Sequence, residues 1–125
     1  WCATRRPLPP NVRAAYLAPY DSWKNRVAIL RFVQDIPLSP TDEGYDIVVD
    51  TRDKLELFRN TPTLVCWGGR DFVFDDHFYN EWKWRMPNAK FNYFDDAGHY
   101  VLEDAAEDVA PLVEDFLNRH PLDSK

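Results

Sequence analysis

Two short apolar runs punctuate the second half of the chain, one over 63–67 (Thr63-Leu64-Val65-Cys66-Trp67) and one over 90–94, where Phe91, Tyr93 and Phe94 carry the pattern. The first is apolar at almost every position, which predicts a strand buried on both faces. Between and around these runs the spacing changes to steps of three and four. Val48, Thr51, Leu55 and Phe58 fall on one helical face and predict a helix over 45–59. A further helix is expected over 76–85, with aspartates at its start and Lys83 and Arg85 near its end, as the helix dipole prefers. The last helix should begin between Glu103 and Asp108 and bury Ala105, Val109, Leu112, Val113, Phe116 and Leu117. Pro111 fits it only in the first turn, where a missing N–H costs nothing. Helix, strand, helix, strand, helix is the alternation of an α/β fold with parallel strands.

The first forty residues read differently. Pro7, Pro9, Pro10, Pro19, Pro37 and Pro40 cut them into short pieces. One piece, over 21–33, can be helical, capped by Asp21 or Ser22 and carrying Trp23, Val27, Leu30 and Phe32. Residues 37–44 read as a loop, and there is no internal repeat. Two strands are too few for a stable open sheet, and the edge of 63–67 needs neighbours.

At 125 residues, 45% hydrophobic and 15% aromatic, the chain is too apolar for disorder and long enough for one domain with a real core. A net charge of −6 with scattered basic residues argues against a nucleic-acid partner. Arg5-Arg6 is the one adjacent basic pair and reads as solvated. No run approaches a membrane span. Cys2 and Cys66 are the only cysteines, and Cys66 sits inside a strand, so free thiols and a reducing, cytoplasmic setting are the default. The chain begins Trp1-Cys2 and its only methionine is Met86, which points to a processed or partial chain.

The chemistry collects at the ends of the two strands. The first ends in Gly68-Gly69-Arg70-Asp71 and the second in Asp95-Asp96-Ala97-Gly98-His99-Tyr100. Parallel strands put their functional loops at their carboxyl ends. There Asp71 can hold one ring nitrogen of His99, leaving the other to act as a base. The same two residues could equally be a turn cap and a loop histidine. Phe72, Val73, Phe74 and Phe78 could line an apolar pocket or pack the loop onto the core. Tyr100 could touch substrate or simply pack. Asp75, Asp76, His77, Asp95 and Asp96 lack a dedicated ligand spacing, so no metal is expected, and helix capping accounts for Asp75 and Asp76. Trp82 and Trp84 cannot share a helix face, so one of them can mark a contact with chain that is absent. No Gly-x-Ser-x-Gly or Gly-x-Asp-x-Gly occurs, so the nucleophile that such a pair would serve is missing.

The stretch 62–71, with its Trp67-Gly68-Gly69-Arg70-Asp71, and the stretch 95–104, with its Ala97-Gly98-His99, resemble the last two strands of the α/β-hydrolase superfamily. Within it the chain is most similar to haloalkane dehalogenases and the related β-lactone decarboxylases of olefin biosynthesis. Tyr16-Leu17-Ala18-Pro19-Tyr20 and the stretch 26–32 resemble the end of their cap domain. The resemblance implies the C-terminal portion of an α/β-hydrolase fold: the end of the cap and a linker over 1–44, then the last core strands with their helices over 45–125. It implies Asp71 as triad acid, His99 as base, and Phe72, Phe74 and Tyr100 as contacts to a small apolar substrate. It also implies a nucleophile, Asp or Ser, outside this sequence, an ester intermediate and no cofactor. The partner would be the missing N-terminal half or another copy of the chain, and the isolated chain would be inactive. The competing expectation is a non-catalytic module that pairs with a partner through its open sheet edge.

Overall fold

A computed structural model describes residues 3–121; Cys2, and with it any pairing to Cys66, lies outside the described residues. The chain divides into two compact units, one formed by Trp1–Pro7 with Glu56–Lys125 and the other by Leu8–Leu55.

The larger unit is an α/β arrangement. Strands β1 (Leu64–Gly68) and β2 (Lys90–Phe94) run parallel, with Leu64 opposite Lys90 and Gly68 opposite Phe94. Parallel pairing requires a long crossover, and α4 (Asp76–Arg85) supplies it. Asp75 caps α4 by accepting the N–H of His77 at 2.9 Å. After β2 come a single helical turn, α5 (Val101–Asp104), and the long α6 (Ala106–Arg119), both of which pack on β1. The last helix is therefore broken at Ala105. Pro111 lies beyond the first turn of α6, not within it as its chemistry predicted. The carbonyl its missing N–H leaves unpaired is that of Glu107, an exposed residue whose carbonyl water can satisfy.

The core is smaller than the composition suggests. Ala97, Ala105 and Val109 form its buried centre, with Cys66, Phe94 and Val101 packed against it. β1 is only half-buried along 64–67, in contrast to the two-faced burial its apolar run predicts, because β2 is its single neighbour among the described residues. Leu117, on the expected buried stripe of α6, is 58% exposed.

The smaller unit is helical: α1 (Pro10–Leu17), a 3-10 turn (Ala18–Tyr20), α2 (Trp23–Gln34) and α3 (Tyr45–Asp53). The proline pattern does not announce α1. It forms because Pro9 and Pro10 stand at the N-cap and first position, where their fixed φ suits a helix start. Ser22 caps α2, accepting from the N–H of Asn25. α3 stops at Asp53 rather than running to Arg59, and a 3-10 turn (Leu55–Phe58) follows. The Thr51 hydroxyl donates back to the Ile47 carbonyl at 2.7 Å, a bond that competes with the helix ladder near that end. No helix among the described residues is long and apolar enough to cross a membrane.

Candidate active site

The site is assembled from the two loops that leave the parallel strands. They interlock through the main chain: Gly69 N–H donates to the Phe94 carbonyl and Arg70 N–H to the Ala97 carbonyl, each at 2.8 Å. The closeness of the loops explains Gly68. A side chain there would run into the carbonyl oxygens of Gly98 and Ala97.

Past this junction the chain turns, with Asp71 N–H bonded to the Gly68 carbonyl at 3.1 Å. The Asp71 carboxylate accepts from the N–H groups of Val73 and Phe74 at 2.8 and 3.0 Å. Its two oxygens lie 3.0 and 2.9 Å from His99 Nδ1. An ionised carboxylate can only accept, so Nδ1 carries the proton and Nε2 of the neutral ring is left as the acceptor. Burial pushes the Asp71 carboxyl upward. The N–H of Phe74, the imidazole of His99 and the N–H of Val73 outweigh that and hold it below the ordinary carboxylate range. The Asp71 side chain is 9% exposed and that of His99 28%, so the carboxylate is sheltered and the imidazole is reachable.

Three of the aromatic residues singled out in the sequence gather round the imidazole. Phe74, Tyr100 and Phe72 have ring centroids 5.6, 5.7 and 6.1 Å from it. Phe78 stands edge-on to Phe74, and Val73 is exposed. The acidic cluster does other work. Asp75 caps α4, and Asp76 accepts the Tyr93 hydroxyl at 2.6 Å. That bond, with some desolvation, pushes the Tyr93 phenol up to about 12. No group of three or more His, Cys, Asp or Glu among the described residues is placed to hold a metal ion. Burial raises the Cys66 thiol, against a smaller opposing effect of Lys90, and its side chain packs against the buried centre. Trp82 is 38% and Trp84 72% exposed.

One residue of the site escapes sequence reasoning. Asp104 is 2% exposed and accepts from the N–H groups of Gly98 at 2.7 Å and of Arg5 and Arg6 at 2.9 Å. Burial raises its carboxyl, and the three N–H groups together with the Arg6 charge bring it below the ordinary range. The Arg5-Arg6 pair, read as merely solvated, thus engages the fold through its backbone. No sequence signal could reveal the link to Arg5 and Arg6, since those two donors are main-chain groups 99 and 98 positions away. A cavity of about 390 Å³ opens at the opposite end of the sheet, beside Thr63 and Lys90, remote from Asp71 and His99.

No family model matches the chain. Two curated relatives do, both cis-3-alkyl-4-alkyloxetan-2-one decarboxylases. The chain is 49% identical to that of Shewanella oneidensis over 113 residues, which make up 90% of this chain and 36% of the relative. It is 45% identical to that of Xanthomonas campestris over 122 residues, 98% of this chain and 41% of the relative. Nearly the whole chain is therefore similar to about two fifths of a β-lactone decarboxylase.

Proposed function

We propose that this chain carries the acid and the base of a β-lactone decarboxylase of the α/β-hydrolase type, as its C-terminal part. The observation that carries the reading is the Asp71–His99 pair, held at the carboxyl ends of two parallel strands with Nε2 left open. The similarity to two decarboxylases favours this activity over the dehalogenase that the sequence resemblance also admits.

The substrate class is a four-membered lactone bearing two alkyl chains. By atom balance, loss of CO₂ from such a ring leaves an alkene. The polar ring would sit at His99, and the alkyl arms would run over Phe72, Phe74 and Tyr100, whose exposed faces are apolar. The nucleophile would come from the remainder of the fold, on the same polypeptide or a second one, which would also cover the bare faces of β1 and β2. Asp71 holds the tautomer and balances the charge when Nε2 takes a proton. No cofactor enters this scheme.

The test is a double-mutant cycle in the complete enzyme, following CO₂ release from a dialkyl β-lactone. Asp71→Asn should lower kcat roughly 10⁴-fold, as loss of the anchoring carboxylate does in serine-protease triads. His99→Ala should lower it at least as much, and the double variant little further, because members of such a unit are not additive. If Asp71→Asn stays within about threefold of wild type while His99→Ala is inactive, Asp71 is a turn cap and the acid lies elsewhere. Full activity in both single variants would overturn the assignment.

A further inference from the structure

His99 is tied on both sides to residues 3–6, directly on one side and through Asp104 on the other. The residue before it, Gly98, donates its N–H to Asp104 Oδ2 at 2.7 Å. The residue after it, Tyr100, donates its N–H to the Ala3 carbonyl at 2.8 Å. Asp104 completes the link by accepting from Arg5 N–H through both oxygens and from Arg6 N–H through Oδ1, all at 2.9 Å. The arrangement has no slack. A Cβ on Gly98 would fall 2.9 Å from the Ala3 carbonyl oxygen and 3.2 Å from Asp104 Oδ2.

A buried carboxylate is an expensive way to satisfy main-chain donors. What it gains here is geometry, because three N–H groups converging on two oxygens admit one arrangement of the peptide before His99. We propose that Asp104 is a positioning residue for His99: it clamps the Gly98 peptide to the backbone of residues 5 and 6, so that the imidazole meets Asp71 in a single orientation and a disturbance in residues 3–6 is felt at the base. This rests on the reading of His99 as the base. A misplacement of about 1 Å at a reacting group can lower a rate by about 100-fold, so the clamp should be visible in kcat.

The experiment follows two readouts in the complete enzyme: kcat and KM on a dialkyl β-lactone, and the proton NMR signal of His99 Nδ1–H, which reports its bond to Asp71. Asp104→Asn keeps the side-chain shape but replaces one acceptor oxygen by a donor. In a chain whose circular dichroism matches wild type, it should move or broaden the Nδ1–H signal. It should also lower kcat by about 10- to 100-fold with KM within about threefold, which a residue serving only stability would not do. Arg6→Pro removes one donor and leaves the carboxylate; it should shift the same signal in the same direction, by less. A folded Asp104→Asn enzyme with wild-type kcat and an unmoved signal overturns the proposal. If that variant does not fold, an unmoved signal and unchanged kcat in Arg6→Pro overturn it instead. Activity surviving in His99→Ala would sink the catalytic reading, while the NMR signal would still decide the clamp.

Discussion

In the Leu8–Leu55 unit, side chains bond to neighbours a turn or so away: Ser22 to Asn25, Arg26 to the Tyr20 carbonyl, Asp42 to Leu38 and Ser39, Thr51 to Ile47. In the other unit, the bonds that matter join distant residues: Asp71 to His99, Asn88 to Arg59, and Asp104 to the backbone of Arg5 and Arg6. Burial follows the same division. The helices of the smaller unit bury none of their residues, and Trp23, Leu30 and Phe32 stand 84%, 57% and 78% exposed. The larger unit has a real, if small, buried centre. Local bonds specify that a helix forms; only long-range bonds and burial specify where it goes. The smaller unit is therefore written as a set of helices, and the larger one as a fixed constellation.

The strongest way to break this contrast is Asp104→Ala. It strands the buried N–H of Gly98, removes the partner of the Arg5 and Arg6 N–H groups, and should destabilise the larger unit by about 3 kcal/mol. Hydrogen exchange should speed up at Arg5, Arg6 and Gly98 while the amides of α2 keep their rates; equal acceleration in α2 would mean that the two units unfold as one. The same carboxylate makes stability depend on acid. A carboxyl lowered on folding stabilises fully above its unfolded value, about 4, and loses that contribution as pH falls through the folded one. Asp71 adds to this with the same sign. Urea midpoints should therefore fall below about pH 4 in wild type, and fall less in Asp104→Asn.

A smaller effect sharpens the contrast within α6. Val109 is 2% exposed, and Val109→Ala should cost about 2 kcal/mol. Leu117→Ala on the same helix should cost under about 0.5 kcal/mol if nothing covers it. A larger loss in thermal melts of the complete protein would show that the bare stripe is covered there. The most local change is expected of Ser22→Ala, about 1 kcal/mol of helix stability, seen as faster exchange in the first turn of α2 with no change at Val109. A shift of the global melting temperature would show that the cap stabilises more than its own helix.

Much of the site was readable because its chemistry lies in side chains at the ends of two short apolar runs. Asp71 and His99 are placed by strand polarity alone, and the boundaries of α4 and β2 follow from caps and prolines. What escaped has a common physical origin. The start of the last helix was legible, at Ala106 within the expected 103–108, but the hold of Asp104 on Arg5 and Arg6 depends on main-chain donors at the far end of the sequence, which no local pattern encodes. α1 was hidden because prolines that end helices also begin them. The half-burial of β1 was unreadable for another reason: an apolar strand looks the same whether or not its neighbours are present.

The carboxylate of Asp71 is held by the N–H groups of Val73 and Phe74, not by their side chains. Any residue except proline could make those two bonds. The side chains of the aromatic rim at 72, 74 and 100 are thus uncoupled from the main-chain grip on Asp71, and mutation can sample new rim chemistries while those two N–H bonds to the carboxylate are kept. A lineage, or a mutagenesis library directed at those three positions, is free to vary the size and polarity of the rim without first having to rebuild the main-chain bonds that hold the Asp71 carboxylate.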